Sequence, residues 1–130
     1  MSVCGLWQGV QRLAAVIADD GGILRPPITT HATPDHTRHL LDYLVIAGVD
    51  TLILTERSHA FIAQAQARQL HVRLVPNDLF EGIRIATAMK HRPARHTASL
   101  LARWPFTPAL RVLLREVPPT QQQKNQLPLF

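Results

Sequence analysis

Thr51-Leu52-Ile53-Leu54, the stretch from Ala60 to Leu70, and Val72-Arg73-Leu74-Val75 follow one another closely along the chain, and their reading decides the fold. The first and last are continuous apolar runs of the kind seen when a strand is covered on both faces. The segment between them is rich in Ala and Gln, which favours helix, and it turns Phe61 and Ile62 toward a core. A buried strand, a helix and a second buried strand in this space form a parallel crossover.

Upstream, Val3 to Ile17 divides into two short apolar runs with a polar break at Gln8-Gly9, and Asp19-Asp20-Gly21-Gly22 supplies turn chemistry before Ile23-Leu24. This predicts an antiparallel meander of three strands. Pro26-Pro27 limits how the third can pair, which suits an edge strand or one that begins after the prolines. Thr33 is placed to cap a helix with Pro34 in its first turn, Leu40, Leu41, Leu44 and Val45 recur at helical spacing, and Gly48 ends the run. The expected order is βββαβαβ, followed by helices over Leu79–Met89, Thr97–Arg103 and Pro108–Glu116. This is an α/β chain with one mixed sheet, antiparallel meander plus parallel crossover strands, and flanking helices. Pro118-Pro119 stops the last helix. Thr120 to Asn125 is too polar to hold a core, so residues 1–117 are expected to fold as one domain and 118–130 to form a flexible tail.

Length and composition agree with a single domain. The chain has 130 residues, 46% of them hydrophobic and 18% charged, whereas disorder needs low hydrophobicity and a large charge excess. No stretch approaches the roughly 20 apolar residues of a membrane span. Met1-Ser2-Val3-Cys4 also lacks a basic segment leading into an apolar one, so a cytoplasmic location is expected. Cys4 is the lone cysteine and cannot form an internal disulfide.

Charge is distributed unevenly. Residues 1–83 carry six Arg against eight Asp and Glu, while residues 84–116 carry seven Lys and Arg against Glu116 alone. A one-sided basic block is the electrostatic footprint of a nucleic-acid surface, because neutralising phosphates releases counterions. Arg84, Lys90, Arg92, Arg95, Arg103 and Arg111 are therefore the candidate DNA contacts, with an ordinary solvated helix face as the alternative. Catalytic and cofactor motifs give no lead. There is no Gly-x-Ser-x-Gly and no Gly-rich phosphate loop, and Ser58-His59 is an adjacent pair rather than a triad. His36 and His39 have the i, i+3 spacing of one helix face, with His31 and Asp35 nearby, yet a polar exposed face accounts for them. No cofactor and no metal ligand is assigned.

Three segments carry a family resemblance: Gly5-Leu6-Trp7-Gln8, Val72-Arg73-Leu74-Val75-Pro76-Asn77, and Arg92 to Arg103. With the order of elements, they resemble the RuvC-like, RNase H-like N-terminal domain of the DEDD insertion-sequence transposases over roughly Val3 to Arg103. That family has a Lys-Thr-Asp-x-x-Asp-Ala pattern leading into Leu-Ala-Arg, and Ala98 and Leu101-Ala102-Arg103 stand in register with it. The resemblance implies an RNase H-like sheet and a nuclease whose carboxylates hold two divalent metals that clamp the attacking and leaving oxygens of a phosphodiester. Here the first family acid falls at Trp7 and the two late acids at Ala94 and Thr97. Glu56 alone approaches the second acid position, out of register by a residue or more, so no catalytic residue is assigned. Asp19 and Asp20 fall in a turn, and Asp78 has a helix-capping explanation.

The chain ends Gln126-Leu127-Pro128-Leu129-Phe130. This resembles the bacterial sliding-clamp-binding pentapeptide, Gln-Leu-x-Leu-Phe, with Pro128 at the variable position. Leu129 and Phe130 suit an apolar cleft as anchors, Gln126 can hydrogen-bond its rim, and Pro128 lowers the entropy lost on ordering. The expected partner is the beta sliding clamp of DNA polymerase III. The resulting expectation is a non-catalytic RNase H-like accessory of DNA replication, repair or a mobile element. It would bind the clamp by its C-terminal peptide and DNA by its basic helices. Two alternatives stand beside it: a divergent metal-dependent nuclease or resolvase using Glu56 with Asp19, Asp20 or Asp78, and a protein-only adaptor recruited to the clamp.

Overall fold

Strand β1 (Val3–Gln8) lies antiparallel to β2 (Arg12–Ala18), with Val3 opposite Ala18 and Gln8 opposite Leu13. The computed structural model describes residues 2–56, 60–86 and 94–118. Strand β3 (Ile28–His31) starts after the two prolines and pairs antiparallel with β2, so it forms an edge. Ile23-Leu24 contributes only one bridge, Ala18 to Leu24. Gly21 and Gly22 make the turn before it at φ 76° and 85°, a left-handed backbone that side chains with a Cβ rarely adopt. Strands β4 (Thr51–Thr55) and β5 (His71–Val75) then run parallel to β1, as the crossover reading requires. The sheet is mixed and six-stranded, in the order β3-β2-β1-β4-β5 followed by β6 (Arg115–Glu116).

Helices cover both faces. On one, α1 (Pro34–Ile46) and α2 (Ala60–Ala67) pack Leu40, Leu41, Leu44, Phe61 and Ala65 against Cys4, Leu6, Leu52, Leu54, Val72 and Leu74. Thr33 caps α1, accepting the His36 amide at 3.2 Å, and Gly48 turns the chain away at φ 86°. On the other face, α3 (Asn77–Ala86) and α4 (Ala94–Arg103) bring Phe80, Ala98, Leu101 and Ala102 onto Val3, Ala14, Val16, Ile53 and Val75. Helix α4 approaches the sheet closely over Gly5. A Cβ there would stand 2.3 Å from the Ala98 carbonyl oxygen and 2.4 Å from the Ala102 nitrogen, so the absence of a side chain sets the packing distance.

The expected helix over Pro108–Glu116 is corrected. Helix α5 spans only Pro108–Arg111, and Arg115–Glu116 form strand β6, antiparallel to β5 with Glu116 opposite Arg73. Strand β5 would otherwise leave an edge of unpaired backbone groups, and pairing it outweighs one more turn of a short helix. Beyond β6 the Val117 amide donates to the Val72 carbonyl at 2.9 Å, and Gln66 Nε2 donates to the Pro118 carbonyl at 2.7 Å. These bonds tie the base of the C-terminal segment to β5 and α2. Among the described residues no helix is long and apolar enough to cross a membrane.

Candidate functional site

Trp7 stands near the end of β1, on the face covered by α3 and α4. Its ring centroid is 5.5 Å from that of Phe80, and Phe80 is in turn 6.1 Å from Trp104. The Arg84 guanidinium lies 4.6 Å from the Trp7 centroid and 5.9 Å from that of Phe80, while its Nη1 donates to Glu81 Oε1 at 2.7 Å. Arg84 and Glu81 lie three apart on α3, and Phe80 lies four before Arg84, so one helix face presents the group to the indole. A cation over a partly desolvated indole is worth about 0.5 to 2 kcal/mol. The arrangement keeps the Arg84 side chain only 12% exposed.

The other late-helix positions share these surroundings. Ala94 packs into the same cluster as Trp7, and Thr97 is buried on α4. Strand alternation explains the register of the remaining position: Ile53 faces this cluster while Leu52 and Leu54 face the other core, so Thr55 follows Ile53 toward Trp7. Glu56 comes one residue later, and its carboxylate lies 4.0 Å from Arg115 on β6. Trp7, Thr55, Ala94 and Thr97 supply no carboxylate, and Arg84 already brings positive charge. The residues here do not fit a centre of two divalent cations.

The remaining acids are dispersed. Asp19 follows Ala18, the partner of Val3, so it lies at the opposite end of β1 from Trp7, four residues and about 13 Å away. It accepts two hydrogen bonds from Arg25, at 2.8 and 2.9 Å, and one from Ser2 Oγ at 3.3 Å. The Arg25 bonds hold its carboxyl below the ordinary carboxylate range. Asp78 is exposed in the first turn of α3, where its charge favours the helix N-terminus. Asp35 pairs with Arg38, and His36 Nδ1 is 2.6 Å from the capping Thr33 hydroxyl. His39 lines a shallow apolar cleft with Ile28, Leu40 and Tyr43. Among the described residues no three His, Cys, Asp or Glu side chains gather as a metal would require.

The basic residues separate into two groups. Arg84 is turned inward and ion-paired, which differs from the exposed phosphate contact expected of it. Arg95, Arg103 and Arg111 are exposed on α4 and α5. Lys90 and Arg92, and the pentapeptide Gln126, Leu127, Pro128, Leu129 and Phe130, lie outside the described residues. Sequence reasoning missed the stack of Trp7, Phe80 and Arg84, although the four-residue spacing of Phe80 and Arg84 was a signal that they share a helix face.

A meander, a parallel crossover and helices on both faces define the RNase H-like α/β fold. The solved structure of T. thermophilus RuvC in complex with Holliday junction substrate has this fold; it aligns with a TM-score of 0.53 and 9% identity, covering 90% of this chain and 99% of that one. No family model and no curated protein matches the chain.

Proposed function

We propose that this protein is a non-catalytic accessory of bacterial DNA replication or repair, or of a mobile element that uses the replisome. It is held at the beta sliding clamp by Gln126-Leu127-Pro128-Leu129-Phe130 and touches DNA with the basic side chains of its last helices. The observation that carries the non-catalytic part is Trp7. Where the resembled transposase domain has its first metal-binding acid, an indole packs on Phe80 beneath the Arg84 guanidinium. The clamp part rests on the terminal pentapeptide, in which all four defining positions match, and on the polar stretch Thr120–Asn125 that gives it reach.

A peptide from Pro119 to Phe130 is expected to bind the purified clamp with a Kd around micromolar, near −8 kcal/mol. Replacing Leu129 and Phe130 with Ala removes two apolar anchors, each worth roughly 2 kcal/mol at a hot spot, and should abolish detectable binding. Gln126→Ala should weaken it less, since a rim hydrogen bond nets only about 0.5 to 1.5 kcal/mol. If the double variant of the full chain instead melts well below wild type, the tail is core packing and the clamp reading fails.

The RuvC-like fold favours a second reading, a divergent metal-dependent nuclease built around Glu56. Purified protein is expected not to cleave DNA in Mg²⁺ or Mn²⁺. Metal-dependent cleavage abolished by Glu56→Gln would reverse the preference between the two readings.

A further inference from the structure

Arg95, Ser99 and Arg103 recur at four-residue intervals along α4, and beyond the corner, where a 3-10 turn and an extended Thr107 end that helix, α5 carries the exposed Arg111. The four-residue row is a ridge on a helix surface. Residues Thr97, Ala98, Leu101 and Ala102 are buried, so the opposite side of α4 carries this ridge outward. The short members fold back on the backbone: Ser99 Oγ donates to the Arg95 carbonyl at 2.9 Å and Thr107 Oγ1 to the Arg103 carbonyl at 3.2 Å. Only the guanidiniums therefore project. From Ala94 to Arg111 the chain contains no Asp or Glu. Arg25, Arg38, Arg68, Arg84 and Arg115 each face a carboxylate, but Arg95, Arg103 and Arg111 have no such partner among the described residues.

We propose that this ridge is a backbone-reading surface for duplex DNA, an inference that rests on the DNA-binding reading above and specifies the form of the partner. Single strands are held by bases stacked on exposed aromatic rings between cationic groups. Here the aromatic side chains of the same segment pack on the core: Trp104 is fully buried with its Nε1 donating to the Leu110 carbonyl at 2.9 Å, and Phe106, half-buried, lies over Gly22. The ridge also presents no Asn or Gln, the side chains that read adenine edges. What remains is exposed positive charge. Arg95 and Arg103 are eight residues apart, or about 12 Å along the axis, and a firm spacing of this kind suits the fixed phosphates of a duplex.

The full-length chain, titrated with one random sequence as duplex DNA, as single-stranded DNA and as duplex RNA across a salt series, tests this. Wild type should bind duplex DNA most tightly and show little change when the sequence is scrambled. The triple variant Arg95→Gln, Arg103→Gln, Arg111→Gln should flatten the log–log salt slope by about 2.7, at about 0.9 per lost phosphate contact. Ser99→Glu, which sets a carboxylate amid the row, should weaken binding several-fold, while Arg38→Gln on α1, across the sheet, should not. Tighter binding of single strands or of duplex RNA overturns the duplex-DNA assignment, and an unaltered slope in the triple variant overturns the ridge. Absence of binding to any of the three at low salt overturns the DNA-binding reading itself.

Discussion

Gly5 and Trp7 are two residues apart on the same face of β1, and they do opposite things there. Gly5 removes a side chain so that α4 can rest its backbone on the strand, and Trp7 adds the largest side chain available where α4 begins and α3 crosses. Gly5→Ala would drive a Cβ to within 2.4 Å of two backbone atoms of α4, which no side-chain rotation relieves. Ordinary overpacking costs about 1 to 3 kcal/mol, and a backbone collision belongs at or above the top of that range. Urea melts of this variant should therefore show a loss of about 3 kcal/mol or more; a loss under 1 kcal/mol would mean that α4 does not sit this close. Trp7 also explains why Arg84 left the expected DNA surface. A guanidinium at the end of α3 gains an indole face and the Glu81 carboxylate by folding inward, and loses both by pointing to solvent.

At the scale of elements, helix α1 shows how local chemistry and packing divide the work. The Thr33 cap and Pro34 fix where the helix starts, while Leu40, Leu41 and Leu44 fix which side faces the sheet. Thr33→Ala leaves the packed side intact and removes the acceptor for the His36 amide, so the expected cost is about 1 kcal/mol. Chemical denaturation should register this as a shifted midpoint with an unchanged slope. A change in slope would indicate that the cap governs more than the end of one helix. The segment from Pro108 to Glu116 behaves differently, since its C-terminal part takes its conformation from the free edge of β5 rather than from its own propensity. The same edge holds Val117 through the Val72 carbonyl, while Gln66 of α2 holds the Pro118 carbonyl.

The stability of the whole molecule should respond to pH at both extremes, for reasons that lie at one end of the sheet. Asp19, held by Arg25, has a folded-state pKa below its unfolded value of 3.8. Its contribution is present above that value and is lost as pH falls through the folded pKa. Cys4 is fully buried in β1, and burial pushes its thiol from 9.0 up to about 12. The fold holds this proton more tightly than the unfolded chain does, so the Cys4 contribution is complete below pH 9 and declines as pH rises from 9 toward 12. Melting temperatures across pH should fall at both ends. Asp19→Asn should flatten the acid limb and Cys4→Ala the alkaline limb; an alkaline limb unchanged in Cys4→Ala would assign it to other groups. The buried thiol should also react with a thiol reagent only at the rate of unfolding.

How much of this was legible beforehand depended on whether the cause was local. The alternating and continuous apolar runs determined the meander, the parallel crossover and the mixed sheet, because burial on one or two faces leaves its period in the sequence. The cap at Thr33 and the breaks at Pro26-Pro27 and Gly48 were equally local. The missing acids at Trp7, Ala94 and Thr97 were also visible as residue identities, as was the basic block. Only tertiary structure decided what those residues do. It stacked Arg84 on Trp7, placed Thr55 rather than Glu56 on the face of β4 toward Trp7, and set Asp19 at the far end of β1. It also turned Arg115–Glu116 into a strand. Each of these follows from partners distant in the chain, and a sequence carries the period of its own burial but not the position of the surface that will bury it.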